Sequence, residues 1–103
     1  MPKRKRVMNI LPAKCVLQLY ITGDTVLSRK AIMEVKKIVS EDLKDNCRLD
    51  IVDLLLNPEE AERYNIMVTP TLIRTHPKPE KKIIGDLSNK EKLLTCLDLT
   101  PRR

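Results

Sequence analysis

A strand, a long helix and a second strand follow one another early in the chain, and this succession constrains the fold most. Residues 14–21 are rich in β-forming side chains, and apolar residues fall on both faces of the expected strand. A strand that is apolar on both faces is typical of the centre of a sheet. Residues 26–44 show helical periodicity, and residues 47–55 predict the second strand. The succession therefore predicts a right-handed βαβ unit.

The predicted first helix has one apolar side that we expect to face the core. Its apolar residues recur at spacings of three and four, while charged residues fill the other side. Asp45 and Asn46 interrupt this pattern and are expected to end the helix. The residues expected to face the core are Leu27, Ala31, Val35, Ile38, Val39 and Leu43.

The middle of the chain contains a helix start. Asn57 is expected to cap the free backbone amides, and Pro58 suits the first helical turn. Two glutamates follow, and their charge favours the positive end of a helix dipole. The sequence therefore predicts a short second helix that ends near Tyr64 or Asn65.

The last third of the chain predicts a hairpin and a final helix. Residues 71–75 and 81–84 are short strand-like runs, joined by a loop that carries two prolines. Ser88 and Glu91 have the spacing of a capping box that opens the final helix. The whole order is βαβαββα, in a single domain that we expect to cover residues 14–100.

A proline stands at the entrance to the third predicted strand, in the segment Thr69-Pro70-Thr71. With the βαβαββα order, this position is typical of thioredoxin-like folds, in which the bond before the proline is cis. We therefore predict a cis bond between Thr69 and Pro70. Redox-active members carry cysteines on the turn after the first strand, at a helix N-terminus. Residues 23–28 form that turn here and contain no cysteine.

The positive charge of the chain is concentrated at its two ends. The formal net charge is +6, and six of the 20 basic residues lie in segments 3–6 and 102–103. The others balance the 14 acidic residues. With two tyrosines and no phenylalanine or tryptophan, the chain offers few stacking platforms for nucleic acid. We therefore expect residues 1–13 to be a basic extension and residues 101–103 a basic end, without a nucleic-acid function.

The residues that carry chemistry form no catalytic pattern. Cys15, Cys47 and Cys96 are widely spaced and lack a Cys-x-x-Cys motif, which favours a reducing, cytoplasmic setting with Cys15 and Cys47 as small buried residues. His76 has no companion for a metal site or a catalytic dyad, and there is no glycine-rich phosphate loop. The sequence therefore predicts no enzyme, no metal and no cofactor. No apolar run approaches the length that spans a membrane.

Four segments of the chain resemble the KaiB family of circadian clock proteins. They read LQLYITGDT, NPEEAE, MVTPTLIR and KKIIGDLSNKEKLLTCLDL, and together the resemblance covers residues 14–99. Residues 82–89 are the most specific part, and the TPT segment stands at the right distance before them.

The resemblance implies a function in binding rather than in catalysis. KaiB proteins bind KaiC, a hexameric ATPase ring, then capture KaiA and displace the kinase SasA. They are also metamorphic: in the resting state, usually a homotetramer, the C-terminal half is folded differently, and the thioredoxin-like monomer binds the ring. We therefore expect a resting tetramer or dimer and a slow fold switch, which two packings within a few kcal/mol of each other permit.

The resemblance also implies roles for single residues. Lys30 and Lys81 stand where relatives place basic residues that contact KaiC, and Lys82 continues that patch; the alternative is ordinary surface charge. Cys96 replaces a glycine of well-known relatives, which favours a state that is helical there. The residues implied in the fold switch or its geometry are Thr69, Pro70, Gly85, Asp86, Cys96 and Asp98.

Some features depart from the family pattern and keep other functions open. Asp50 stands where KaiA-binding relatives have lysine, and the ends of the chain are basic, so KaiA binding is left open. One alternative is a KaiB-like paralogue or thioredoxin-like adaptor in stress signalling without KaiA. A second is an atypical thiol oxidoreductase that uses Cys15, Cys47 or Cys96. A third is a nucleic-acid binder that uses the basic ends.

Overall fold

Seven elements make up the part of the chain that the computed structural model describes, residues 15–43, 46–85 and 87–99. The predicted basic segments 1–13 and 101–103, and the predicted fold-switch residue Asp86, lie outside the described residues. The elements follow the predicted order: β1 (Cys15–Ile21), α1 (Val26–Glu41), β2 (Cys47–Asp53), α2 (Glu59–Arg63), β3 (Thr71–His76), β4 (Lys81–Ile84) and α3 (Lys90–Cys96).

The first strand lies inside a four-stranded sheet of order β2-β1-β3-β4. It runs parallel to β2, in a register that starts with Cys15 opposite Cys47 and ends with Ile21 opposite Asp53. It runs antiparallel to β3, and β3 pairs with β4 as the predicted hairpin. The inner position of β1 explains why both of its faces are apolar.

The two faces of the sheet carry separate hydrophobic clusters. Residues of α1 and α3 pack over the main core on one face. On the other face a smaller cluster includes Tyr20 and Ile73, with Tyr64 of the α2 end packed against it. The rings of Tyr20 and Tyr64 lie with their centroids 5.8 Å apart. As the alternation predicts, one set of β1 residues enters the main core: Cys15, Leu17, Leu19 and Ile21.

The start of α1 differs from the prediction at Leu27, whose side chain is 66% exposed. Thr25 caps the helix by accepting a hydrogen bond from the Ser28 amide, and its hydroxyl also bonds that of Ser28. Ser28 is therefore held inward, and the buried stripe continues through Ala31 and Val35. Leu27 has the spacing of the buried residues in the sequence. It nevertheless lies one position before Ser28, the first residue of the buried face.

The predicted caps of the two short helices are also wrong in detail. Asn57 does not cap α2, because its side-chain amide donates to the Asp53 carbonyl at 3.1 Å and so belongs to the turn after β2. The helix begins after Pro58 without a side-chain cap bond. In α3 the cap is Asn89 rather than Ser88, since the Asn89 side chain accepts from the Lys92 amide at 3.0 Å.

The cysteines of the two parallel strands differ most from expectation. Cys15 and Cys47 are buried, as predicted, but their sulfur atoms form a disulfide instead of remaining free thiols. Their Cα atoms lie 4.5 Å apart, because parallel pairing places the first residues of β1 and β2 side by side. The two cysteines are 32 positions apart in the sequence, so no local pattern indicates that they are in contact. Cys96 is a free, exposed cysteine at the end of α3.

Candidate partner-binding surface

The turn after β1 is tied to the turn after β2 through one carboxylate. Oδ1 of Asp53 accepts hydrogen bonds from the backbone amides of Gly23 and Leu55, each at 2.9 Å. Gly23 has a φ of +70°, and a Cβ there would lie 2.9 Å from a methyl carbon of Leu55. The positive φ of this turn therefore favours glycine, and the exposed Leu55 side chain packs close against it.

The loop before β3 is tied to the same end of the sheet. The bond between Thr69 and Pro70 is cis, which confirms the prediction. The Thr69 hydroxyl lies 2.8 Å from the Thr22 hydroxyl at the end of β1. The carbonyl of Pro70 accepts from the Gly85 amide at 3.0 Å, which joins this loop to the turn after β4.

Four connections thus meet at one end of the sheet, and their apolar side chains face solvent. Among the described residues, eight large hydrophobic side chains are exposed, and seven of them belong to these connections or border them. Met67 is the most exposed of the seven, at 86%. Exposed apolar groups concentrated in one region commonly mark an interaction site. We call the following residues the apolar end: Val26, Leu27, Leu55, Leu56, Met67, Val68 and Ile84.

A groove beside the apolar end brings four of the predicted site residues together. It has a volume of about 380 Å³ and runs between α1 and the loops around Thr69 and Gly85. Leu27 and Lys30 line it from α1, and Pro70 lines it from the opposite side. The predicted KaiC contact Lys30 and the predicted fold-switch residues Thr69, Pro70 and Gly85 therefore form one surface.

The other two predicted lysines lie elsewhere. Lys81 and Lys82 are on β4, the strand at the edge of the sheet, and line a second pocket of about 300 Å³ with Arg63 and Tyr64. The Lys82 ammonium donates to the Tyr64 carbonyl at 3.3 Å. The structure therefore separates the three predicted lysines between two pockets and does not form a single patch from them.

Two further residues predicted to act in the fold switch, Cys96 and Asp98, lie at the end of α3, outside the groove. Cys96 closes the helix, so the described state is helical at this position. Asp98 follows with a φ of +56°, a left-handed conformation that is uncommon for residues other than glycine. Its backbone amide donates to the Thr95 carbonyl at 3.1 Å.

The sequence reasoning missed Arg74, which is 3% exposed. Its guanidinium donates to the carbonyls of Leu97 and Pro79, both at 2.8 Å. The alternation of the predicted strand could have indicated this. Arg74 is two positions after the buried Leu72, so both side chains lie on the core side of β3. A charge at an inward position of a strand requires partners, and here they are backbone carbonyls.

The part of the chain that the structure describes shows neither a metal site nor a membrane-spanning helix. No group of three or more histidine, cysteine or acidic side chains there is arranged to hold a metal ion. Within the same residues, no helix has the length and apolar character needed to cross a membrane.

Comparison with known proteins identifies the family. The model of the KaiB domain matches residues 18–99. The chain belongs to the KaiB family. The circadian clock protein KaiB3 of Synechocystis is 50% identical over 88 residues, which cover 85% of this chain and 86% of that protein. The circadian clock oscillator protein KaiB of Picosynechococcus is 46% identical over 92 residues, with 89% and 88% covered.

Solved structures confirm the thioredoxin-like fold of this KaiB-family chain. The N-terminal domain of Synechococcus elongatus SasA matches with a TM-score of 0.68 at 23% identity, over 94% of this chain and 95% of that domain. The germline-specific thioredoxin Deadhead of Drosophila melanogaster matches with a TM-score of 0.65 at 16% identity, over 80% and 76%. At these identities the likeness concerns the fold alone.

Proposed function

We propose that this protein is a non-enzymatic clock regulator that binds a KaiC-type hexameric ATPase ring through the apolar end. The observation that carries the proposal is the exposure of seven large hydrophobic side chains around four connecting loops. A partner that covers them removes apolar surface from water, which stabilises a complex by about 25 cal/mol per Å² before the costs of association. The curated relatives, named as circadian clock proteins, support a clock role.

Lys30 supplies the charged part of the proposed interface. It lines the groove next to Leu27 and across from Pro70, so a partner seated on the apolar end also reaches its ammonium group. An acidic residue of the ring is the complementary group. Lys81 and Lys82 line a different pocket on the edge strand. They would therefore contact the ring at a second place, separate from the groove.

The proposal includes a fold switch. The described βαβαββα arrangement is the state that would bind the ring, and a resting tetramer or dimer with a rearranged C-terminal half would hold the protein inactive. A SasA-type kinase is the proposed competitor, since the SasA N-terminal domain shares this fold. We propose that the complex forms in the cytoplasm.

KaiA is left outside the proposal. Asp50, which stands in place of a lysine of KaiA-binding relatives, is fully buried in β2. Its carboxylate lies 3.4 Å from the Arg48 guanidinium. A buried, paired carboxylate does not offer the exposed positive charge of that lysine.

The test is size-exclusion chromatography with light scattering, with and without a KaiC-type ATPase and ATP. The wild type is expected to join the ring peak slowly. Met67→Glu places a charge in the apolar end and is expected to abolish co-elution. Met33→Glu is the matched control, because Met33 is 72% exposed on α1 but lies outside the apolar end. Equal binding by both variants, or no ring complex with the wild type, would refute the proposal.

A further inference from the structure

The disulfide is in the sheet at the end opposite the apolar end. Cys15 and Cys47 are the first residues of β1 and β2, whose last residues are Ile21 and Asp53. Six residue steps along a strand span roughly 20 Å. A chemical change at the two sulfur atoms therefore occurs far from the surface proposed to bind the ring.

The environment of the two cysteines suits both the bonded and the reduced state. Their residues are 3% and 7% exposed, and they belong to the apolar main core. A free cysteine behaves as a small hydrophobic residue in such surroundings. Reduction therefore leaves two side chains of a kind that an apolar core accommodates.

The pair lies at one end of the sheet, where local opening would give a reductant access to it. Both residues stand at strand starts, where the Cys15 amide reaches the Asn46 carbonyl at 3.4 Å, and Asn46 itself is exposed. Opening of the first residue pair would expose a sulfur atom without unfolding the rest of the sheet. Such local opening is less costly than global unfolding.

We propose that Cys15 and Cys47 form a reversible dithiol–disulfide site that senses the thiol redox state of the surroundings. In the oxidising direction, one cysteine thiolate attacks a low-molecular-weight disulfide, RSSR, and releases one thiol, RSH. The second cysteine then attacks the mixed disulfide and releases a second RSH. The two cysteines lose two protons and two electrons, and RSSR gains them. A dithiol reductant reverses both steps.

The physical effect of oxidation is to restrain the chain around α1. The bond joins residues 32 positions apart and encloses the whole helix of the βαβ unit. A cross-link of this kind disfavours the unfolded state by limiting its freedom. Oxidation is therefore expected to raise the melting temperature by roughly 10 °C or more. The site does not depend on ring binding.

The test is a redox titration of the full chain under native conditions. The protein is equilibrated in mixtures of reduced and oxidised glutathione, and its free thiols are alkylated and counted by mass spectrometry. Cys15 and Cys47 are expected to become protected together at a single midpoint, while Cys96 stays available to alkylation as a free, exposed thiol. Dithiothreitol is expected to restore both thiols in the folded protein.

Variants separate the site from general thiol effects. Cys96→Ser is expected to keep the redox-dependent melting shift, and the double variant Cys15→Ala, Cys47→Ala is expected to lose it. Two results would overturn the proposal. One is a pair that stays reduced in oxidised glutathione; the other is a bond that resists dithiothreitol until the protein is denatured. Both readouts use the wild type and hold even if the double variant fails to fold.

Discussion

The guanidinium of Arg74 donates a 2.8 Å hydrogen bond to the backbone carbonyl of Leu97, and this bond connects β3 to the last turn of α3. A second bond, to the Pro79 carbonyl, connects the same side chain to the loop between β3 and β4. The positive charge lies where the helix dipole is negative. One buried side chain therefore joins three parts of the C-terminal half.

Arg74→Met should destabilise the described state. The substitution keeps much of the side-chain volume but leaves the carbonyl of the buried Leu97, and that of Pro79, without this donor. The expected loss is about 2 kcal/mol in the free energy of unfolding, measured by urea denaturation. Arg29→Met is the control, because its ion pair with Asp24 is exposed, and a change within about 0.5 kcal/mol is expected. Equal midpoints for the two variants would contradict this role of Arg74.

Asp53→Ala should loosen the support of the apolar end. The variant removes the acceptor shared by the Gly23 and Leu55 amides, and these two turns would lose their common anchor. We expect a loss of about 1–3 kcal/mol in the free energy of unfolding, together with faster hydrogen exchange at both amides. Asp24→Ala is the control with a 79% exposed side chain. Unchanged exchange at Gly23 and Leu55 would show that Asp53 does not hold the turns.

The thioredoxin-like fold could be predicted from the sequence because most of the patterns that indicate it are local. The alternation of β1 and the periodicity of α1 depend on neighbours a few positions away, and the structure confirms both except at Leu27. The cis bond before Pro70 was expected from the place of this proline in the βαβαββα order, and it is confirmed as well.

The two predicted caps were wrong for different reasons. The Asn57 side chain bonds back to the Asp53 carbonyl instead of turning to the amides of α2, and the neighbouring Asn89, rather than Ser88, accepts from the first turn of α3.

The candidate site was less accessible to sequence reasoning because it is assembled from distant segments. Lys30 and Gly85 line one groove although they are far apart in the chain, whereas Lys30 and Lys81 line different pockets. The Cys15–Cys47 bond has the same origin, in the register of two parallel strands. The periodicity and composition of a single segment do not predict which distant residues come into contact.

Lys30→Glu and Lys81→Glu should weaken ring binding to different degrees. Lys30 lines the groove beside the apolar end, and reversal of its charge is expected to lower affinity about tenfold, or 1.4 kcal/mol. Lys81→Glu is expected to have a smaller effect, because Lys81 lies on the edge strand. Both losses should shrink at high salt. Lys37→Glu, at an exposed position of α1, is the control.

The comparison is made by titrating labelled protein with a KaiC-type ring, after circular dichroism has shown that the variants fold alike. Wild-type affinity in Lys30→Glu would remove the groove from the interface. A larger loss in Lys81→Glu than in Lys30→Glu would move the main contact to β4.

Asp98→Gly should stabilise the described state. Asp98 follows the last turn of α3 with a φ of +56°, where a side chain costs free energy that glycine does not. In this state the gain is expected to reach about 1 kcal/mol. A resting state with a different C-terminal half would not share the gain, so the thioredoxin-like monomer should become more populated and ring binding faster. The measurements are urea denaturation, light scattering and the rate of complex formation.

Asn65→Gly is the control for Asp98→Gly. Asn65 has the same φ of +56°, after α2. Asparagine is the residue that most often replaces glycine in this conformation at a helix end, so a gain of only a few tenths of a kcal/mol is expected. A monomer population that does not rise in Asp98→Gly while stability increases would show that both states share this backbone conformation. Residue 98 would then not bias the proposed switch, and the balance would have to be set elsewhere in the C-terminal half.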